Sequence, residues 1–324
     1  MRPFDADGRF RPAAAGNVLR RLAVRSAGVT VASQTLLFGI QMIATIVLAR
    51  LLRPSDFGLL TIATTFSLLL MNCGLNGFTE AVIQKETIDM RLATNVFWLN
   101  AALGLLLAIA FAASGPALAR LYGEPRLGPV VVAMSSTIFL TSLSVQHLAL
   151  LKRAMRFSVV ASTDIAGRIA SVLVSIALAW AGWGYWALVA GTIACSLTTT
   201  LSAWVSCRWI PGLPARGGDT KSIVRFAINT YGRFAANYLT VNLDNLLVGW
   251  RFGPASLGIY KKAYDLFVLP TNQLSAPLTS VAVSALSRVA HDKERRIAID
   301  AEAVRQRAFC LPMFRVDSYL HLAS

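Results

Sequence analysis

Several polar side chains that could bind a charged ligand recur inside otherwise apolar segments of this chain. At about 100° per residue, a helix over residues 223–250 aligns Asn229, Arg233, Asn237 and Asp244 on one face, together with Thr240. Arginine donates paired hydrogen bonds to phosphate or carboxylate groups, and a carboxylate can exchange a proton or a cation. Because such residues are costly inside an apolar helix, they are typical of binding and transport sites.

A second charged pair lies in the segment 158–181, where Asp164 precedes Arg168 by four residues on a stripe with Ser171 and Ser175. The acid-first order is the favourable one for an ion pair on a helix. The pair could therefore neutralise itself and lower the cost of insertion. Alternatively, Arg168 binds an anionic substrate while Asp164 exchanges a proton or a cation. Both interpretations remain open at the level of sequence.

Further polar stripes follow the same helical period in three other segments. They comprise Lys261, Asp265, Asn272 and Thr279; Thr30, Gln34, Gln41 and Thr45; and Thr61, Thr65, Asn72, Asn76 and Thr79, with Glu80 near the inner end. One such stripe is explained by hydrogen bonding between packed helices. Five stripes, several of them charged, favour a shared hydrated cavity, with packing alone as the alternative.

Arg233 has no acid four residues away, only Asn229 and Asn237. An arginine of this kind in a membrane indicates an anionic ligand or a partner on another helix. Asp244 is a candidate for that partner, or for an outer gate. We predict a substrate-binding set and an ion-coupling or gating set, namely Arg168, Arg233, Asn237, Asn229 and Lys261 for the first and Asp164, Asp244 and Asp265 for the second.

Other kinds of chemistry find little support in the sequence. The four cysteines are not spaced as a metal or redox pair, and the three histidines are isolated from one another. No glycine-rich nucleotide cradle is present in the sequence. We therefore expect no metal, no cofactor, no disulfide and no histidine-centred active site.

The apolar residues are clustered in eight long segments. Hydrophobic residues make up 55% of the chain and charged residues 15%, whereas a soluble domain carries about a quarter charged residues. A membrane-spanning helix needs roughly 20 apolar residues. The sequence therefore predicts an all-α integral membrane protein with spans near 28–49, 57–79, 93–119, 128–150, 158–181, 183–207, 223–250 and 264–287.

The net charge of +15 is distributed unevenly between the predicted loops. With the N-terminus in the cytoplasm, 21 lysines and arginines lie in inner segments and 5 in outer ones. The positive-inside rule therefore predicts a cytoplasmic N-terminus. The basic residues are explained by topology, so nucleic acid is not expected as a partner. The first 25 residues lack the short apolar core of a removable signal peptide.

A short motif occurs twice, 200 residues apart, at residues 52–59 (LRPSDFGL) and 252–259 (FGPASLGI). Six predicted spans separate the copies, which indicates a parallel repeat of six-helix halves. The shared Pro-x-x-x-Gly pattern predicts a hairpin in which proline ends a helix and glycine permits a tight turn. The predicted regions are a basic arm (1–25), a six-helix lobe (26–207), a loop rich in proline and glycine (208–222), the first two helices of a second lobe (223–287) and a cytoplasmic tail (288–324).

The tail contains an apolar run from residue 308 that is interrupted after Phe314 by Arg315 and Asp317. Because the second half contains two predicted spans where the repeat predicts six, we expect a truncation or a frameshift near this position. On this expectation, the 324-residue chain alone does not replace a complete transporter.

The sequence resembles Wzx/WzxC-type polysaccharide flippases, including succinoglycan-type exporters, of the MOP superfamily. The resemblance is carried by the repeated motif and by residues 242–249 (NLDNLLVG), 253–260 (GPASLGIY), 269–273 (LPTNQ) and 286–288 (LSR). It implies two six-helix lobes around a cationic cavity, in the inner membrane of a bacterium. It also implies transfer of undecaprenyl-diphosphate-linked oligosaccharide between leaflets, with membrane lipids and possible contacts to a glycan polymerase and a chain-length regulator. By position, Arg168 and Arg233 are the candidates for binding the diphosphate.

Three alternatives remain. One is another MOP-type antiporter, against which the motif block at 242–288 argues. Another is an inactive, truncated flippase fragment. The third is a membrane-bound glycan polymerase or acyltransferase. Such enzymes usually carry catalytic residues in a large polar loop, whereas the longest loop here has one acid, Asp219, and no histidine.

Overall fold

The structure, a computed structural model, describes residues 17–74, 89–154, 156–213, 236, 238–240 and 242–264. All of them belong to one compact unit, Met1–Phe267. The regular elements among these residues are all α-helices. Six of them are α1 (Asn17–Leu51), α2 (Pro54–Gly74), α3 (Met90–Leu121), α4 (Leu127–Arg153), α5 (Phe157–Trp180) and α6 (Tyr185–Cys207).

The prediction of an all-α membrane protein is confirmed by these six helices, each of which is long and apolar enough to cross a membrane. Their positions match the first six predicted spans to within a few residues, except at the first one. The helix α1 begins at Asn17, ahead of its apolar window at Ala32–Leu51. The predicted seventh and eighth spans fall mostly outside the described residues, apart from the helical residues 242–264, here termed α7.

The most extensive helix contacts are between helices that follow each other in the sequence. The hairpins α3–α4 and α5–α6 make the largest contacts, α4 packs on α6, and α1 packs on α5. Small residues permit the close approaches, since a Cβ atom added at Gly104 would overlap the Ser142 side chain, and one added at Gly115 would lie 3.2 Å from the Gly128 carbonyl oxygen. Glycine and serine at helix contacts are typical of packing in lipid, where close backbone approach replaces the hydrophobic effect.

The chain reverses direction within α7. The Tyr260 hydroxyl donates to the Asp244 carboxylate at 2.7 Å, although a straight helix would place residues 16 positions apart at a distance of about 24 Å. Gly253 has a φ of 79°, a conformation that glycine adopts at low cost. The predicted hairpin between the seventh and eighth segments is therefore present, and Gly253 is its turn residue.

The role predicted for the motif glycines is wrong. Pro54 is the first residue of α2, where a proline is favourable because the first helical N–H needs no partner. Gly58 lies inside α2 and is buried, so it forms no turn. In the second copy the turn belongs to Gly253 and not to Gly258, which is also buried in a helix. The reason for a glycine at 58 and 258 therefore lies in packing.

Candidate functional site

The two charged residues of α5 are exposed on the surface of the six-helix lobe. Asp164 and Arg168 both have exposed side chains, and Arg168 lies 11 residues after Phe157, about 16 Å along the helix axis. No ion pair joins the two in the described part of the chain. The two groups still interact electrostatically over a longer distance, so both interpretations given above stay predictions. A guanidinium at this depth has to face polar groups or water rather than lipid chains.

The rest of the predicted α5 stripe is used for packing. Ser175 is buried, and a Cβ atom added at Gly191 of α6 would overlap its hydroxyl oxygen. The same added atom would lie 2.9 Å from the Ser171 carbonyl oxygen. The C-terminal half of the stripe thus permits α5 and α6 to approach closely, and the N-terminal half exposes charge.

The polar stripe of α2 also serves packing in the described part of the chain. The hydroxyls of Thr61 and Thr65 each donate to a carbonyl oxygen one turn earlier, at 2.8 Å. Thr65 is buried, and its own carbonyl oxygen accepts a hydrogen bond from the Tyr238 hydroxyl at 3.1 Å. Because Tyr238 belongs to the second half, this face of α2 is a contact between the halves. The predicted members of this stripe from Asn72 onward lie outside the side chains that the structure describes.

On α1 the stripe is only partly described. Gln34 is exposed, and the Gln41 amide donates to the Thr45 hydroxyl at 3.4 Å. The side chain of Thr30 is not among the described ones. The part of α1 that packs next to α5 therefore carries a polar, partly exposed face.

Asp244 is held by a neighbouring tyrosine. The hydrogen bond from Tyr260 to its carboxylate, together with partial burial, raises the pKa of Tyr260 to about 12. The phenol therefore remains a donor across the physiological range. Lys261 extends over the Tyr264 ring, with its ammonium nitrogen 5.2 Å from the ring centroid. The predicted residues Asn229, Arg233, Asn237 and Asp265 lie outside the described residues.

The sequence analysis, which treats His147 as isolated, missed an aromatic cluster at the start of α3 and the ends of α4 and α6. The His147 ring is fully buried and stacks on Trp204 with centroids 4.6 Å apart. Trp209, from the loop after α6, lies 5.3 Å from His147 and 6.3 Å from Phe97. The close spacing of Trp204 and Trp209 was the one feature of the sequence that could have indicated this cluster. This cluster fixes the beginning of the loop that joins the two halves.

Comparison with known proteins places the chain among polysaccharide biosynthesis proteins. The family of proteins described as polysaccharide biosynthesis protein matches residues 47–315. The chain is similar to the succinoglycan biosynthesis transport protein ExoT of Rhizobium meliloti, with 26% identity over 85% of this chain and 56% of the relative. It is also similar to the lipopolysaccharide biosynthesis protein WzxC of Escherichia coli, with 24% identity over 86% of this chain and 57% of the relative.

A third relative is the teichuronic acid biosynthesis protein TuaB of Bacillus subtilis, with 23% identity over 64% of this chain and 43% of the relative. The chain spans about half the length of the curated relatives it matches. No solved structure matches the chain significantly.

Proposed function

Because this chain belongs to the family of polysaccharide biosynthesis proteins, we propose that it serves the transport of a lipid-linked oligosaccharide across the bacterial inner membrane. The expected cargo carries undecaprenyl diphosphate and moves from the cytoplasmic to the outer leaflet. The names of the relatives support this proposal, since one is a succinoglycan transport protein and another serves lipopolysaccharide biosynthesis.

The observation that carries the proposal is the exposed Arg168 in the middle of α5. A cation in a membrane span is costly unless it meets an anion, a dipole or water. A diphosphate offers several acceptor oxygens, and guanidinium binds such groups through two parallel hydrogen bonds. We assign the diphosphate contact to Arg168 and, from sequence alone, to Arg233, with Asn229, Asn237 and Lys261 beside them.

The relatives are named for three different polymers, succinoglycan, lipopolysaccharide and teichuronic acid. A protein family that serves such different sugars needs a recognition element common to all of them. The lipid diphosphate meets that need, whereas the sugars do not. This argument favours phosphate-binding arginines over an aromatic sugar platform.

The remaining charged residues have roles in this proposal that follow from their chemistry. Asp164, Asp244 and Asp265 are carboxylates within the predicted spans, so each could release a proton or a cation as the substrate moves. The distribution of basic residues supports a cytoplasmic N-terminus. A glycan polymerase and a chain-length regulator are the partners that the family resemblance implies.

Binding of the lipid carrier by the purified chain tests the proposal without requiring complete transport. The chain in lipid nanodiscs is titrated with undecaprenyl diphosphate and, as a reference, with undecaprenyl monophosphate. Replacing Arg168 by Ala removes a charged hydrogen-bond donor, so we expect about 10- to 100-fold weaker diphosphate binding. Lysine at 168 keeps the charge but cannot donate two parallel hydrogen bonds, so it is expected to restore part of the affinity.

Arg156 provides the matched control, since it is an exposed arginine at the inner end of the same helix. Arg156→Ala is expected to bind the diphosphate like the parent chain. Equal affinity in the parent and in Arg168→Ala, or no preference for diphosphate over monophosphate, would remove Arg168 from the site.

A further inference from the structure

The two copies of the repeated motif touch each other, glycine to proline, in both directions. A Cβ atom added at Gly58 would overlap the carbonyl oxygen of Pro254 and lie 2.9 Å from its Cα atom. A Cβ atom added at Gly258 would overlap the carbonyl oxygen of Pro54 and lie 3.1 Å from the Gly58 nitrogen. Each motif glycine therefore packs its bare backbone against the motif proline of the other copy.

This reciprocity is the property of a two-fold contact. Exchanging the first copy for the second turns each of the two contacts into the other, as in an isologous interface between identical subunits. Parallel repeats in membrane proteins are related by an axis along the membrane normal. The contact between Gly58 and Gly258 therefore marks the place where this local axis passes between the halves.

The surrounding residues extend the contact. Leu257 is completely buried, and Gly249 leaves room for neighbours from the first half, with an added Cβ lying 3.2 Å from the Tyr122 ring and 3.3 Å from Ile62. The Tyr122 hydroxyl donates to the Leu246 carbonyl oxygen at 3.3 Å. The Lys262 ammonium lies 4.1 Å from the centroid of the Phe57 ring. Apolar packing and hydrogen bonds thus join the halves around the two glycines.

The differences between the copies support the same interpretation. In the first copy Asp56 accepts a hydrogen bond from the Arg53 backbone N–H at 3.1 Å, which satisfies a donor at the start of α2. The second copy has Ser256 at the position of Asp56 and Gly253, with its positive φ, at the position of Arg53. The copies form their turns by different means and share the proline and glycine that meet at the axis.

We propose that the two Pro-x-x-x-Gly motifs are a matched docking surface through which the halves of this protein associate. The partner of the first copy is the second copy, and each side requires a glycine because the opposing backbone occupies the space of a side chain. By the predicted topology this surface lies at the outer end of the helices. The proposal concerns assembly of the halves and does not depend on the transported substrate.

Thiol cross-linking in the full chain tests this pairing. In a background without native cysteines, cysteines replace Phe57 and Lys262, because the Lys262 ammonium reaches the Phe57 ring across the contact. A bismaleimide with a spacer as long as the lysine side chain then joins the two cysteines. A protease site introduced at 214–222 separates the halves on a gel unless the cross-linker joins them. The control pair uses Phe57→Cys with Leu239→Cys, since Leu239 is exposed and its neighbour Tyr238 contacts Thr65, about 12 Å along α2 from Phe57. We expect the first pair to cross-link rapidly and the control pair to remain separate.

A second set of variants tests the requirement for glycine. Gly58→Ala and Gly258→Ala each add one methyl group against a backbone carbonyl, and we expect cross-linking about tenfold slower, as overpacked contacts have to open. Gly39→Ala is the matched control, because an added Cβ at Gly39 meets nothing within 4 Å. Helical circular dichroism checks that every variant is folded.

The outcomes separate cleanly. Slower cross-linking in both motif variants and unchanged cross-linking in Gly39→Ala support the docking surface. Equal rates in all three variants, or linkage of the control pair as fast as that of residues 57 and 262, overturn it. Binding of undecaprenyl diphosphate does not enter either readout, so failure of the proposed function would leave this result unaffected.

Discussion

The Nε2 atom of His147 lies 3.2 Å from the carbonyl oxygen of Trp209, 62 residues further along the chain. Both ring nitrogens of His147 face carbonyl oxygens, so a neutral imidazole donates to only one of them. Since the Leu143 carbonyl oxygen beside Nδ1 also accepts the Trp204 indole N–H at 3.1 Å, the Nε2–H tautomer leaves both carbonyl oxygens with a donor. Further along, the Trp98 indole donates to the Gly212 carbonyl oxygen at 2.8 Å. The loop between the halves is therefore fixed to the first lobe at both ends of 209–212.

Replacing His147 by Phe keeps an aromatic ring beside Trp204 and removes the donor to the Trp209 carbonyl. We expect a loss of about 1–3 kcal/mol in the free energy of unfolding, since a buried acceptor loses its partner. Denaturant unfolding in detergent measures this loss. A cysteine at position 212 should also react faster with a thiol reagent in His147→Phe. His147→Gln, which retains a donor, should recover part of both effects, and identical behaviour of Phe and Gln would contradict the hydrogen-bonding role.

The Asp244–Tyr260 hydrogen bond gives a prediction in the alkaline range. Because the folded protein favours the neutral phenol, its contribution to stability is complete below the ordinary tyrosine pKa of 10 and is lost as pH rises through about 12. In Asp244→Asn the pKa of Tyr260 should fall toward its ordinary value. Phenolate absorbance, corrected by subtracting the Tyr260→Phe protein, measures the change. An unchanged titration would mean that Asp244 does not control the phenol.

A pH effect of the opposite sign is expected at the turn between α3 and α4. The guanidinium of Arg126 contacts the Glu124 carboxylate at 2.7 Å and 3.1 Å and lowers the pKa of Glu124 below its ordinary 4.5. This stabilisation is present above that ordinary value and is lost as pH falls through the lowered pKa. Since the Arg126 side chain is 45% exposed, solvent screening limits the contribution to below about 1 kcal/mol.

Arg126→Gln should therefore lower the melting temperature slightly at neutral pH and have no effect at strongly acidic pH. Arg120→Gln, at an exposed arginine in the last turn of α3, serves as the control for the loss of one positive charge. If Arg126→Gln still lowers the melting temperature at strongly acidic pH, the ion pair is not the cause of the decrease.

The predicted topology is tested at the α5–α6 turn. Trp180 and Trp183 are 85% and 58% exposed there, as expected for tryptophans anchored at a membrane interface. A reporter fused after Trp183 should be active on the outer side and one fused after Gly217 in the cytoplasm, because the positive-inside rule predicts that the more basic loops are cytoplasmic. The reverse result at both positions would invert the assigned orientation.

The sequence by itself determined the helices, because membrane insertion depends on the local length and polarity of each segment. The six predicted spans that fall on described residues all reappear as helices, and the repeat placed the hairpin at Gly253 in the correct interval. The polar stripes were likewise visible from helical period alone. Family membership could also be predicted, because the motifs that carry the resemblance are short stretches of consecutive residues.

Only the tertiary structure decided what each stripe faces. Rotation of a helix about its axis is set by residues that lie far away in sequence: Tyr238 covers the carbonyl of Thr65, Gly191 covers Ser175, and Arg168 remains exposed. The partner of His147 is 62 residues distant, and the prolines opposite the motif glycines lie in the other half of the repeat. Hydropathy contains no term for such pairings, because they arise from the shapes of two helices in contact and not from the polarity of either one.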